Sequence, residues 1–390
     1  MNVPAANGPL IYLVATEESG DRLGAALMRV LRKRLGERAR FAGVGGSSMA
    51  GEGLTSLFPI EDLSIIGFTA VAQKLPMILR RLRETTDAVV KADPDILVII
   101  DSPDFTQRVA RRVRKRAPSL PIVNYVSPSV WAWRPGRARV MRGYIDHVLA
   151  LLPFEPGVHQ RLGGPPCTYV GHPLIEEIAS LRPDAVEQAR RDAQPPVLLV
   201  LPGSRRSEIR HHMAVFGETI ARLQQQNVSF ELVLPTMPHL LEAVTAGVKT
   251  WSVQPRIVVG EKDKRAAFRI ARAALAKSGT VTLELAIAGV PMVTAYKAGG
   301  VEAWIAQRVI RSASVILANL VIGENVVAEF IQQDCTPENL APALRDVLND
   351  GAVRARQVNA FAQLDRIMDT GKSSPSVGAA DIVLHLLPKR

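Results

Sequence analysis

The sequence predicts an α/β protein of two domains, each built on a doubly wound parallel sheet. Apolar, β-branched runs such as "DILVIID" end abruptly in charge, proline or glycine, the pattern of strands buried on both faces. Such runs alternate with helix-like segments, and the alternation is laid out twice along the chain. At 390 residues the chain is also too long for one ordinary core.

The first series opens with the strand "LIYLVAT" from Leu10. It leads into "SGDRLGAALMRVLRKRL", where Leu23, Leu27, Val30 and Leu31 share a helical face. "RFAGVGG" reads as a second strand and glycine turn, "DILVIID" as a third followed by the basic helix "TQRVARRVRKRA", and "PIVNYVSPSVWAW" and "HVLALLP" as two more. A polar, proline-bearing stretch between Gly171 and Pro196 marks the domain junction. The second series then runs "VLLVLPGS", "FELVLPT", "RIVVGE", "AALAKSGT" and "VPMVTAY". The expected domains are residues 1–175 and 176–345, with 346–390 left as a C-terminal helical segment.

Composition narrows the function. Two distant cysteines, Cys167 and Cys335, exclude a disulfide framework and a zinc ribbon and fit a reducing cytoplasm. The opening residues lack a basic leader, so no secretory signal is expected. No apolar run reaches the roughly 20 residues a spanning helix needs. The net charge of +11 is concentrated: from Arg80 to Arg142, fourteen Lys and Arg stand against six Asp and Glu. Such a face draws nucleic acid, anionic lipid or phosphorylated substrate alike, or is simply solvated. No basic and aromatic stacking pattern supports nucleic acid. "LSIIGFTAVAQKLPMILRRLR", Leu63 to Arg83, sets Ile65, Ile66, Phe68, Leu75, Met77 and Leu79 beside arginines. That suits a segment lying in an anionic headgroup region, or equally a core helix or dimer contact.

Three turns could carry chemistry. In "DILVIIDSPDF", Asp101 stands at a strand's carboxyl end, where open α/β sheets bind ligands; alternatively Asp101 or Asp104 caps the next helix. In "LPGSRRSEI", Gly203, Ser204 and Arg205 lie between strand and helix, a place suited to a diphosphate or to a plain turn. In "AKSGTVTLE", Ser278, Gly279 and Thr280 open a helix with Glu284 one turn in. The carboxylate is placed for ribose hydroxyls, or Thr280 and Glu284 form a cap. His172 and the "SPSVWAWR" stretch, with Ser127 and Trp131, are ligand contacts or structural residues. GxxxxGK[ST], a complete GxGxxG, HExxH and GxSxG are all missing, and no metal-spaced His or Cys set is present.

In order, "VATEESGD", "DSPDF", "YVSPSVWAWR", "LLPFE", "YVGHPL", "LPGSR", "SGTVTLE" and "ANLVIGENVVAEFIQ" resemble the lipid-A-disaccharide synthases, inverting glycosyltransferases of GT-B architecture. The resemblance implies transfer of 2,3-diacylglucosamine from UDP-2,3-diacylglucosamine to 2,3-diacylglucosamine 1-phosphate, without metal or other cofactor, at the inner face of the Gram-negative inner membrane. It further implies a homodimer with exchanged C-terminal segments. By the same resemblance Asp101 is the general base, Glu17 and Ser19 line the substrate pocket with Ser127, Trp131 and His172, and Asn319 joins the nucleotide site. Thr16 and Ala318 depart from the family's glycine and proline. The competing classes are another GT-B nucleotide-sugar enzyme, such as an epimerase, and a catalytically silent UDP-sugar-binding protein of the membrane surface.

Overall fold

The computed structural model describes residues 8–63, 68–297, 299, 314–371 and 374–388, with the backbone alone at 37 and 68–74. The chain divides into two compact units: Met1–Pro173 with Thr370–Arg390, and Leu174–Asp369.

Unit 1 holds strands β1 (Leu10–Ala15), β2 (Arg40–Val44), β3 (Ile96–Ile100), β4 (Ile122–Tyr125), β5 (His147–Ala150) and β6 (Cys167–Tyr169). They form one parallel sheet in the order β2-β1-β3-β4-β5-β6. All five residues of β3 are fully buried because helices cover both faces, which is why its sequence shows no alternation. The chain leaves β1 toward β2, then restarts at β3 on the other side of β1, so the topological switch point lies between β1 and β3. The strand expected through "PIVNYVSPSVWAW" stops at Tyr125, where Val126 turns to φ +75°.

The helix Phe68–Ala92 carries Pro76 in its interior. Leu75 is 45% exposed, and Met77 and Leu79 are half-buried. Ile65, Ile66 and the side chain of Phe68 lie outside the described residues. Among the described residues, no helix is long and apolar enough to cross a membrane.

Unit 2 repeats the plan with β7 (Val197–Leu201), β8 (Glu231–Thr236), β9 (Arg256–Val259), β10 (Ala273–Lys277), β11 (Met292–Tyr296) and β12 (Ala328–Ile331). The parallel order is β12-β11-β10-β7-β8-β9, which sets the switch point between β7 and β10. Phe216, Leu223, Leu275 and Trp251 anchor its core, and the Trp251 indole donates to Met213 O at 3.0 Å.

The expected segment 346–390 is not one piece. Helices Ala352–Phe361 and Leu364–Ile367 pack in unit 2, burying Phe361 and Leu364, whereas helix Pro375–Leu386 returns to unit 1. There Ala379, Ala380 and Val383 are fully buried among Leu27, Met28 and Leu31, and Arg34 pairs with Asp381 at 3.2 Å. Gly171, at φ +101°, is required by this return: a β-carbon there would stand 2.8 Å from Pro375 and Thr370.

Candidate functional site

The switch point of unit 1 brings together residues that lie far apart in sequence. β3 delivers Asp101 at its carboxyl end, and Asp101 N–H donates to Tyr125 O at 3.0 Å, tying the residue to β4. Asp101 and Ser102 both take left-handed backbone conformations, φ +53° and +44°. That double turn lets Asp101 Oδ1 accept Ser102 N–H at 2.7 Å, while Oδ2 lies 3.4 Å from Ser19 Oγ, just past β1. Ser102 Oγ donates to Glu17 Oε1 at 2.9 Å, and Thr106 Oγ1 to Asp101 O at 2.6 Å. Pro103 starts the next helix, and no side chain caps it. The capping alternative therefore fails for both aspartates: Asp104 instead pairs with Arg137 at 3.0 Å. Thr16 is buried and has no positive φ, so its β-branch stands in the glycine's place without backbone strain.

Beyond β4 and β5 lies a buried polar cluster that the sequence only half announced. Ser127 Oγ sits 2.9 Å from His159 Nε2. Glu155, 3% exposed, accepts Leu152 N–H at 3.0 Å. Burial pushes its carboxyl up to about 7 against those hydrogen bonds, and pushes the His159 imidazole down. Trp131 packs edge-on to Phe154 at 5.6 Å. His159 Nδ1 is buried and makes no hydrogen bond. Ser127 and Trp131 were expected at the site, while His159 and Glu155 were not; only burial distinguishes them. His172, half-buried past β6, has its imidazole pushed down to about 4 by desolvation and is neutral at pH 7.

In unit 2 both expected turns meet at the β7/β10 switch point. Gly203 takes φ +134° and puts Ser204 N–H on Glu208 Oε2 at 2.8 Å. Lys277, the last residue of β10, reaches Glu208 Oε1 at 2.9 Å, so one carboxylate ties the two turns together. Burial acts to raise the Glu208 carboxyl, but the Lys277 hydrogen bond and charge, with Ser204 N–H and Arg205, hold it below its ordinary range. Arg205 is exposed at the start of helix Arg206–Gln225. Ser278 is buried with its N–H spent on Ala295 O at 2.9 Å, which leaves Gly279 and Thr280 as the accessible part of that turn. Thr280 makes no side-chain cap, and Glu284 pairs with Lys264 at 2.8 Å. Asn319 is 2% exposed, and its amide is used internally: Oδ1 accepts Val326 and Val327 N–H, and Nδ2 donates to Val327 O at 3.0 Å. Among the described residues, no group of three or more His, Cys, Asp or Glu could hold a metal ion.

Two carboxyl-end sites of this kind, one acidic and one basic with glycine turns, suit binding of a phosphorylated ligand and proton transfer. Among solved structures, the chain is similar to a UDP-GlcNAc 2-epimerase from Neisseria meningitidis bound to UDP-GlcNAc (TM-score 0.62, 11% identity, 97% of this chain and 99% of that one). It is also similar to the glycosyltransferase of kitacinnamycin (TM-score 0.60, 18% identity, 98% and 100% covered). At these identities the likeness shows the fold, the GT-B pairing of two Rossmann-like units. Sequence relatives go further. The lipid-A-disaccharide synthase of Nitrobacter hamburgensis is 73% identical over 97% of this chain and 95% of its own. That of Bradyrhizobium diazoefficiens is 68% identical over 97% of both. The family model described as lipid-A-disaccharide synthetase matches residues 11–377, a span that takes in both switch points and every turn described above. The chain belongs to the lipid-A-disaccharide synthase family.

Proposed function

We propose that this protein transfers 2,3-diacylglucosamine from its UDP derivative to the 6-hydroxyl of 2,3-diacylglucosamine 1-phosphate. The products are a β-1,6-linked tetraacyl disaccharide 1-phosphate and UDP. The observation that carries the reading is Asp101, fixed at the β1/β3 switch point by Ser102 N–H and Ser19. Its carboxylate takes the proton of the acceptor hydroxyl as that oxygen attacks the anomeric carbon. The bond to the UDP oxygen breaks on the opposite face, giving inversion. Positioned base catalysis of this kind is worth about 10² to 10⁴ in rate.

Unit 2 supplies nucleotide recognition. Arg205 and the Gly279–Thr280 turn meet the negative charge that grows on the departing diphosphate. Glu284, steadied by Lys264, accepts from the ribose hydroxyls. The exposed Leu75 and the arginines after it suit contact with an anionic bilayer, where acylated substrates reside. Peripheral association with the inner face of the inner membrane, and a homodimer that exchanges its C-terminal segments, belong to the same reading.

Mass spectrometry of a reaction with both substrates, purified protein and EDTA in detergent tests it. The expected result is the tetraacyl disaccharide 1-phosphate together with UDP. UDP binding by folded protein without either product would overturn the reading.

A further inference from the structure

The loop after β4 and the short helix Gly136–Met141 that follows it carry cations that the reaction above leaves unused. Arg134 and Arg137 both lie against the indole of Trp133, their guanidinium carbons 4.4 and 5.4 Å from the ring centroid. Arg137 also donates to Asp104 at 3.0 Å, and its side chain is 16% exposed. That ion pair fastens the loop to the turn that presents Asp101. Arg134 differs from its neighbour. It is exposed, sits at φ +51°, and pairs with no carboxylate among the described residues. A left-handed backbone at a non-glycine residue persists only where surrounding contacts hold it. Here the stacked indole holds the guanidinium in place and leaves its N–H fork to donate. Two cations share one indole with one carboxylate between them, and this leaves a positive excess on the Trp133 cluster. A planar fork with spare donors suits the paired oxygens of a phosphate monoester.

We propose that Arg134, stacked on Trp133 and braced by the Arg137–Asp104 pair, recognises the anomeric phosphate monoester of the acceptor sugar. The inference rests on the reading that Asp101 serves a sugar 1-phosphate acceptor. It makes Arg134 a specificity residue, separate from base catalysis and from nucleotide binding.

The test compares initial rates on 2,3-diacylglucosamine 1-phosphate and on the same sugar without its phosphate, at fixed donor, for wild type, Arg134→Ala and Arg134→Lys. Arg134→Ala should raise KM for the phosphorylated acceptor about ten- to hundredfold. It should leave kcat and the donor KM near wild type and erase the preference for the phosphorylated acceptor. Arg134→Lys should recover part of the loss, since lysine restores charge without the fork. A preserved preference in Arg134→Ala overturns the proposal, as does an equal loss on both acceptors, which marks a merely structural loop. If wild type forms no disaccharide at all, the reaction proposed above has failed, and calorimetric titration of the phosphorylated acceptor decides the subsite alone. Weaker binding to Arg134→Ala then sustains it, and equal binding overturns it. Co-sedimentation with phosphatidylglycerol vesicles separates the other source of phosphate: an Arg134→Ala defect there, with acceptor KM unchanged, assigns the residue to the lipid surface and overturns the proposal.

Discussion

Asp101 and Ser102 hold consecutive left-handed conformations, each costing a non-glycine residue about 1–3 kcal/mol. The expense is local, and what it secures is position: Asp101 Oδ1 is fixed by the next backbone N–H, and Oδ2 is set beside Ser19, just past β1. Asp101→Asn keeps the shape and removes the base. Turnover should fall about 10² to 10⁴-fold with UDP affinity unchanged, read by initial rates and by calorimetry. Glu155 gives a second prediction. Its native carboxyl lies near 7, above its ordinary 4.5, so between those values the folded state holds a proton that the unfolded state releases. Stability therefore falls as pH rises through that window and stays low above it. Glu155→Gln cannot ionise, so its Tm advantage over wild type should be absent near pH 4.5 and fully developed above pH 7, in thermal melts across that range. Asp101 was legible in the sequence because a charge ends an apolar run. Its left-handed turn was hidden, since neither residue is glycine or asparagine, and the Glu155–His159 cluster was hidden because burial alone creates it.

At the scale of elements, the turn after β7 depends on Gly203. Its φ of +134° is open to glycine alone, and an added β-carbon would stand 2.5 Å from Glu208 Cβ. Gly203→Ala therefore displaces the carboxylate that links Ser204 to Lys277. Its kcat/KM for the UDP-sugar should drop at least about tenfold with acceptor KM unchanged, as expected where one charge-assisted hydrogen bond is lost, and steady-state kinetics at varied donor reads it. Long buried strands such as β3 and β7 were plain in the sequence, because five apolar residues bounded by turn formers leave few alternatives. β12 was missed. It is a short edge strand of four residues, with partly exposed side chains and no period to detect. The helix Phe68–Ala92 was ambiguous for another reason: apolar residues beside arginines fit a core and a bilayer equally.

At the scale of the whole molecule, the two-unit plan followed from the twice-repeated strand and helix series, whereas the return of the chain to unit 1 did not. Nothing in "PSVGAADIVLHL" names its partner, because Ala379, Ala380 and Val383 form a small apolar stripe that fits many surfaces. Val383→Asp would bury an unpaired charge against Leu27 and Leu31, so it should destabilise unit 1 by several kcal/mol and leave unit 2 intact. Hydrogen exchange read unit by unit distinguishes the two. The same discontinuity bears on biosynthesis. The first half of the polypeptide to leave the ribosome lacks the helix that closes its core, and 196 residues of unit 2, Leu174–Asp369, must be translated before that helix exists. At typical elongation rates the interval is roughly 10–40 s, during which the nascent N-terminal half carries an open apolar groove and is a natural client for chaperones.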